Sequence, residues 1–172
     1  MQKSYVLLFL VAICLSACNK SPLVVNISQE QIQKGLDKKF PYQKNTLLAK
    51  LELTDPKVSL SENKIFIDVS FEGTALTKSV KGQVSVATRV AYKQEKKAFY
   101  LKDFDILKLD VGNSTAIEQK KLSGILEKGL AAYLKSFPVY KLKEKDYKQN
   151  IASMLLKDIK TEGDQLVVTL GF

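Results

Sequence analysis

The stretch AFYLKDFDILKLDV, residues 98–111, decides how the chain must fold. It is rich in aromatic and aliphatic residues and has no Gly or Pro, so it reads as a strand. Its alternation is broken. Phe99 and Leu101 are in phase with Leu107, Leu109 and Val111, whereas Phe104 and Ile106 fall on the other side. A slip of one residue turns every later side chain to the opposite face. The pattern therefore predicts a bulge or bend near Asp103, or a strand buried on both faces partway along. The preceding SVKGQVSVATRVAY, residues 79–92, places Val80, Val84, Val86, Val90 and Tyr92 on one face, with Gly82 and Thr88 in the same phase. KQEKK, residues 93–97, is the polar connection between them. Two strands of fourteen residues far exceed the usual five or six. A twisted pair of that length has to coil around something.

The next segment supplies a candidate. TAIEQKKLSGILEKGLAAYLKSF, residues 115–137, opens on a capping box, Thr115 with Glu118. Leu122, Ile125, Leu126, Leu130, Tyr133, Leu134 and Phe137 recur at i+3 and i+4, the spacing of one helix face. Gly129 lies on the same stripe, and Pro138 ends it. Further out, SQEQIQKGLDKKF (28–40) reads as a helix capped by Ser28 and Gln31, with Ile32, Leu36 and Phe40 inward and Pro41 as its stop. LLAKLEL (47–53) is a strand ending at Asp55-Pro56, KVSL (57–60) is a short piece, and KIFIDVSFEG (64–73) alternates cleanly. After Pro138, VYKL is a short strand, DYKQNIASMLL (146–156) a third helix, and TEGD (161–164) a turn before the last strand, Gln165–Phe172. The expected architecture is α+β: a long curled antiparallel sheet wrapped around a long amphipathic helix, with shorter N- and C-terminal helices.

The chain begins differently. Lys3 precedes an apolar run, Tyr5–Leu15, too short to span a bilayer. A basic start and a short apolar run read as a secretory signal. The run ends in LSAC, Leu15–Cys18, which resembles the lipobox of bacterial lipoproteins. That resemblance implies cleavage after Ala17, a diacylglycerol thioether on Cys18 and an acyl chain such as palmitate on its new amino group. Several acyl chains on one residue suffice for stable anchoring. Cys14, the other cysteine, would leave with the signal, so no thiol remains for a disulfide or for catalysis. Residues 1–17 are thus the signal peptide, 18–27 the lipidated N-terminus and tether, and 28–172 a single domain. Asn19 stands where Asp would hold a lipoprotein in the inner membrane of a diderm host. The implied location is the outer membrane, facing the periplasm.

Composition narrows the function. The formal charge is +9, from 27 Lys+Arg against 18 Asp+Glu, and Arg89 is the one arginine. Histidine is absent, which removes the commonest proton shuttle and zinc ligand. The pairs Asp103/Asp105 and Asp158/Glu162 read as solvated charges beside lysines rather than as a catalytic or metal pair. No catalytic residue, metal or further cofactor is expected. Lysine-rich stretches such as KEKDYK (143–148) would suit nucleic acid, but an exported, tethered chain faces anionic headgroups instead.

As an ordered set, LSAC, ISQEQIQKGLDKKFPY (27–42) and FPVYKLKEKDYKQNIASMLLKDIKTEGDQLVVTLGF (137–172) resemble the YceB-like lipoproteins over nearly the whole chain. The resemblance implies a curled sheet around a helix, likened to the tubular lipid-binding modules of BPI-type proteins, and it brings no established catalytic residues. The expected role is to bind a lipid or other apolar ligand between the sheet and the helix stripe of Leu122, Ile125, Leu126, Leu130, Tyr133, Leu134 and Phe137. The alternative is an envelope assembly protein that holds a protein partner.

Overall fold

The computed structural model describes residues 21–45, 49–75, 78–112, 116–143 and 154–172. In chain order the elements are β1 (Leu23–Ser28), α1 (Gln29–Asp37), β2 (Tyr42–Asn45), β3 (Ala49–Ser61), β4 (Lys64–Ala75), β5 (Lys78–Lys93), β6 (Ala98–Asp110), α2 (Ala116–Leu134), β7 (Pro138–Lys141), β8 (Leu155–Glu162) and β9 (Gln165–Gly171). Strands β2 to β7 form one antiparallel sheet in sequence order, and β1-β9-β8 form a second. The expected α+β fold is therefore corrected. Among the described residues there are nine strands, two α-helices and one short 3-10 turn (Gln94–Lys96), and the protein is mostly β.

The curl of the large sheet follows from one short helix. α1 packs on β3 and also on β7. Those strands stand four apart in the sheet, about 19 Å if it were flat, and a helix is only about 10 Å across. The sheet must bend into a half-barrel for α1 to touch both. At β7 the approach is close: a Cβ on Gly35 would lie 2.8 Å from the carbonyl oxygen of Val139. At β3 the contact is polar. Gln33 Nε2 donates to the carbonyl of Pro56 at 2.6 Å, and Gln33 Oε1 accepts from the amide of Val58 at 2.8 Å. One side-chain amide thereby replaces a neighbouring strand along an uncovered edge. The capping box read from the sequence is present, with Ser28 N donating to Gln31 Oε1 at 2.9 Å and Gln31 N to Ser28 Oγ at 3.2 Å.

Strand β6 keeps its apolar face inward by inserting residues. Against β5 it carries one extra residue between the pairs Ala87–Asp105 and Arg89–Lys102, and another between Ser85–Lys108 and Val86–Ile106. Asp103 sits at the first bulge with φ 52. The second bulge holds Leu107, which is 57% exposed. Between and beyond them Phe99, Leu101, Phe104 and Val111 are buried, with Ile106 and Leu109 half-buried. The slip expected near Asp103 is there, but Leu107 faces solvent, because a second slip follows. Thr88 lies opposite the first bulge and is 1% exposed. Its hydroxyl donates to the carbonyl of Lys102 at 2.6 Å, satisfying a group that the interrupted ladder leaves over. Outside, Arg89 pairs with Asp103 at 3.0 Å.

Three more expectations change. β3 runs through Asp55-Pro56 instead of stopping there, with an extra residue between Thr54 and Lys57 and φ 50 at Asp55. Residues 23–28, read mainly as tether, form β1 and pair with β9 from Leu23–Leu170 to Ser28–Gln165. Of the expected C-terminal helix, residues 146–153 lie outside the described residues, and Leu155 and Leu156 open β8.

The wrapped helix is the largest correction. α2 has nineteen residues but no marked amphipathic character, because apolar and polar side chains mix around it. Among its described side chains Leu126, Leu130 and Leu134 are buried, one per turn. It packs along β6, and the core is completed by the second sheet through Val25, Ile27, Leu166, Val168 and Leu170. The two sheets are stitched reciprocally: Asn63 N donates to Thr161 Oγ1 at 2.9 Å, and Thr161 N to Asn63 Oδ1 at 2.8 Å.

Thr88→Val keeps the shape of this core but leaves the Lys102 carbonyl unsatisfied. It should lower unfolding stability by about 1–3 kcal/mol, whereas Thr88→Ser should retain most of it. Urea denaturation of the three proteins measures the difference.

Candidate functional site

The inward face of the half-barrel is apolar along its length, and its cover is uneven. Register aligns Leu53 with Phe71, Val58 with Ile67 and Leu60 with Ile65 on β3–β4. On β4–β5 it aligns Ile67 with Val86 and Val69 with Val84. Ile65, Ile67, Val69, Val84 and Val86 are each at most 2% exposed. Toward the β4–β5 turn the cover thins. Leu51, Gly73 and Val80 form one half-buried row across three strands; farther from that turn, on β6, Leu109 and Ile106 lie opposite Val84 and Val86 and are half-buried as well. Among the described residues, this end of the half-barrel's inward face is only partly covered.

Glycine shapes that end. A Cβ on Gly82 would meet the Asp110 carbonyl oxygen at 2.1 Å and the Phe71 ring at 2.9 Å. Its absence lets the ring of Phe71 lie across β5 while β6 closes up. One step nearer the mouth, at Gly73, the nearest atom to such a Cβ is 3.9 Å away. The mouth row thus alternates branched side chains with a bare position.

The helix stripe expected to line a ligand groove belongs largely to the core. Leu126, Leu130, Leu134 and Phe137 are 2%, 1%, 0% and 6% exposed. Leu122 and Ile125 lie among the side chains outside the described set, as does Cys18. Tyr133 has a different task. Its ring stacks on Tyr42 at 3.7 Å between centroids and meets Phe40 and Phe137 edge-on at 5.7 and 5.2 Å. Its hydroxyl donates to the carbonyl of Lys39. It clamps the end of α2 onto the loop between α1 and β2. Desolvation, with a smaller effect of neighbouring Tyr42, raises the Tyr133 pKa above the usual tyrosine value.

The outer face also offers recesses, lined by both polar and apolar atoms. One of about 600 Å³ lies beside the end of α1, lined by Asp37, Phe40, Glu52, Asp55 and Lys57. Others continue across β3–β5 with Asp68, Glu72, Lys81 and Gln83. Of the carboxylates singled out in the sequence, Asp103 is tied to Arg89 and Lys102, and Asp158 to Lys160 at 3.3 Å. Among the described residues no group of three or more Asp, Glu, His or Cys could hold a metal ion, and no helix is long and apolar enough to cross a membrane. Leu51, Val80, Ile106 and Leu109 were not singled out as a site in the sequence. Their phase is visible there, but their thin cover depends on packing between distant elements.

A family described as "Protein of unknown function (DUF1439)" matches residues 27–165. No curated protein matches the chain. A solved structure described as a crystal structure of lipopolysaccharide binding protein superposes with a TM-score of 0.33 and 13% identity, covering 86% of this chain. The chain spans 40% of that protein.

A raised Tyr133 pKa gives a defined pH dependence. The folded phenol holds its proton at pH values where the unfolded one loses it, so the folded state is penalised only above the ordinary tyrosine pKa. Stability should be insensitive to this group near neutrality and fall as pH rises beyond about 10. Tyr133→Phe should remove one late-titrating phenol from the ultraviolet titration and flatten that part of the stability profile.

Proposed function

The chain belongs to the DUF1439 family, and for this member we propose the role of a membrane-anchored envelope lipoprotein, non-enzymatic, that binds the apolar chain of an amphiphile at the partly covered end of its half-barrel. The observation that carries the reading is a half-covered inward apolar surface: Leu51 and Val80 in the mouth row, and Leu109 and Ile106 farther along β6, opposite Val84 and Val86. A half-covered apolar surface at the end of a packed groove gains free energy by taking up hydrocarbon, about 25 cal/mol per Å² removed from water. The bound chain extends from the mouth; the stretch beside Leu126, Leu130 and Leu134 is already filled by the protein's own side chains.

The anchor completes the reading. Cys18 carries the diacylglycerol and acyl chain, Asn19 directs the protein to the outer membrane, and the domain faces the periplasm, as in the YceB-like lipoproteins that the sequence resembles. A tethered binder works at the high local lipid concentration that its anchor imposes. Without residues 1–17, and so without Lys3, the formal charge of +9 becomes +8, which suits a surface of anionic headgroups.

Native mass spectrometry of the domain made without residues 1–18 tests this. A co-purified or added lysophospholipid should be retained by the unaltered domain. Val80→Asp places a charge in the mouth row and should lower occupancy at least tenfold, about 1.4 kcal/mol, with the circular dichroism unchanged. Absence of any lipid adduct, together with a stoichiometric protein partner recovered from envelope extracts, would replace this reading with the assembly role.

A further inference from the structure

Four large hydrophobic side chains are conspicuously exposed among the described residues: Val24 at 55%, Leu107 at 57%, Leu155 at 54% and Phe172 at 41%. Leu107 is accounted for by the second β6 bulge. The other three gather at one end of the small sheet. Val24 pairs with Thr169, and Leu155 pairs with Gly171. Cross-strand partners share a face, as do residues two apart on one strand, so Val24, Thr169, Gly171 and Leu155 lie on the same outward face. The opposite face carries the core residues Val25, Val168 and Leu170. Phe172 follows directly at the same end. The patch is flattened at its centre because Gly171 has no side chain. There the stem of Lys157 lies across it, with Cγ 3.2 Å and Cε 3.3 Å from the position a Cβ would take. A lysine stem lying on apolar surface with its ammonium free to reach outward is an arrangement suited to a headgroup layer. Asp158, next along this face, is held by Lys160.

Chain length adds an independent constraint, one that rests on the lipoprotein reading above. Cys18 stands five positions ahead of Leu23, where β1 begins. Fully extended, that tether reaches about 18 Å. An acylated Cys18 sits at the bilayer surface, so the first residue of β1 cannot be farther from it than that. The edge of the small sheet bearing Val24 is thereby forced close to lipid, whatever tilt the rest of the domain adopts. The end held nearest the bilayer by the tether is also the end where exposed apolar side chains collect.

We propose that the outward face of the small sheet, at Val24 and Leu155 with Phe172 at its end, is a membrane-docking surface that lies on the same bilayer as the Cys18 anchor. Its occupant is the lipid surface. Docking there fixes the orientation of the domain, so that the anchor and the small sheet form one contact with the membrane.

The test uses the full-length acylated protein in vesicles of phosphatidylethanolamine and phosphatidylglycerol. Leu155→Cys and Glu95→Cys, the latter on the distant β5–β6 connection, are each labelled with an environment-sensitive fluorophore, and a lipid-borne quencher is titrated in. The label at 155 should be blue-shifted and quenched severalfold more than the label at 95; Val24→Cys should behave like 155. Equal quenching at 155 and 95 overturns the docking surface. Mass spectrometry of Cys18 on the same samples separates the two claims. An acylated Cys18 with a water-exposed label at 155 defeats docking alone, whereas an unmodified Cys18 defeats the anchor reading and the docking argument with it.

Discussion

A strand of thirteen residues can keep one face dry only if its side chains stay in phase with a sheet that coils beneath them. β6 meets this constraint with two inserted residues, and the rest of the structure depends on it. Its inward positions, 99, 101, 104, 106, 109 and 111, recur at alternating steps of two and three. Each step of three is a bulge, and each bulge adds local twist. The sum of that twist lets a six-stranded sheet curve far enough for nine-residue α1 to touch both β3 and β7. Thr88 and Arg89 serve the first bulge from its two sides: the hydroxyl satisfies a carbonyl within, and the guanidinium pairs with Asp103 outside. The chain's single arginine is thus engaged in a structural pair at an exposed position, where the pair itself contributes little.

Much of this was legible in the residues. The alternation of residues 64–73 and 79–92, the capping box of Ser28 and Gln31, and the slip near Asp103 all appear in the structure. These are local features, set by side-chain period and hydrogen-bonding chemistry. The second slip was hidden because Leu107 is apolar and looked like a core residue. Asp55-Pro56 looked like a stop, and becomes a bulge only because Gln33, over twenty residues earlier, caps the strand edge beside it. β1 was hidden in a segment read as tether, although Val25 and Ile27 alternate there with Asn26 and Ser28.

The error about the helix has a more general cause. Leu122–Phe137 has helical spacing, but spacing does not say which partner buries it. Here the second sheet completes much of the core, and it assembles from opposite ends of the chain, β1 with β8 and β9. Pairing at that separation leaves no local mark in the sequence. The same reasoning applies to the helix stripe read as a candidate site. The helix positions with the strongest pattern are buried because they pack well, and the open surface lies where packing stops. Leu51 and Val80 continue the core pattern past the last fully covered row, and Leu109 and Ile106 keep it on β6 with partial cover.

The account turns on whether that partly covered end takes up hydrocarbon while the helix-lined interior stays closed. The most direct measurement is a methyl-resolved NMR titration of the acyl-free domain with a lysophospholipid below its micelle concentration. Saturable shifts at Leu51, Val80, Ile106 and Leu109, with Leu126, Leu130 and Leu134 unmoved, are the result this structure predicts. Shifts concentrated at the α2 leucines, or no saturable shift at any of these methyls, would contradict it.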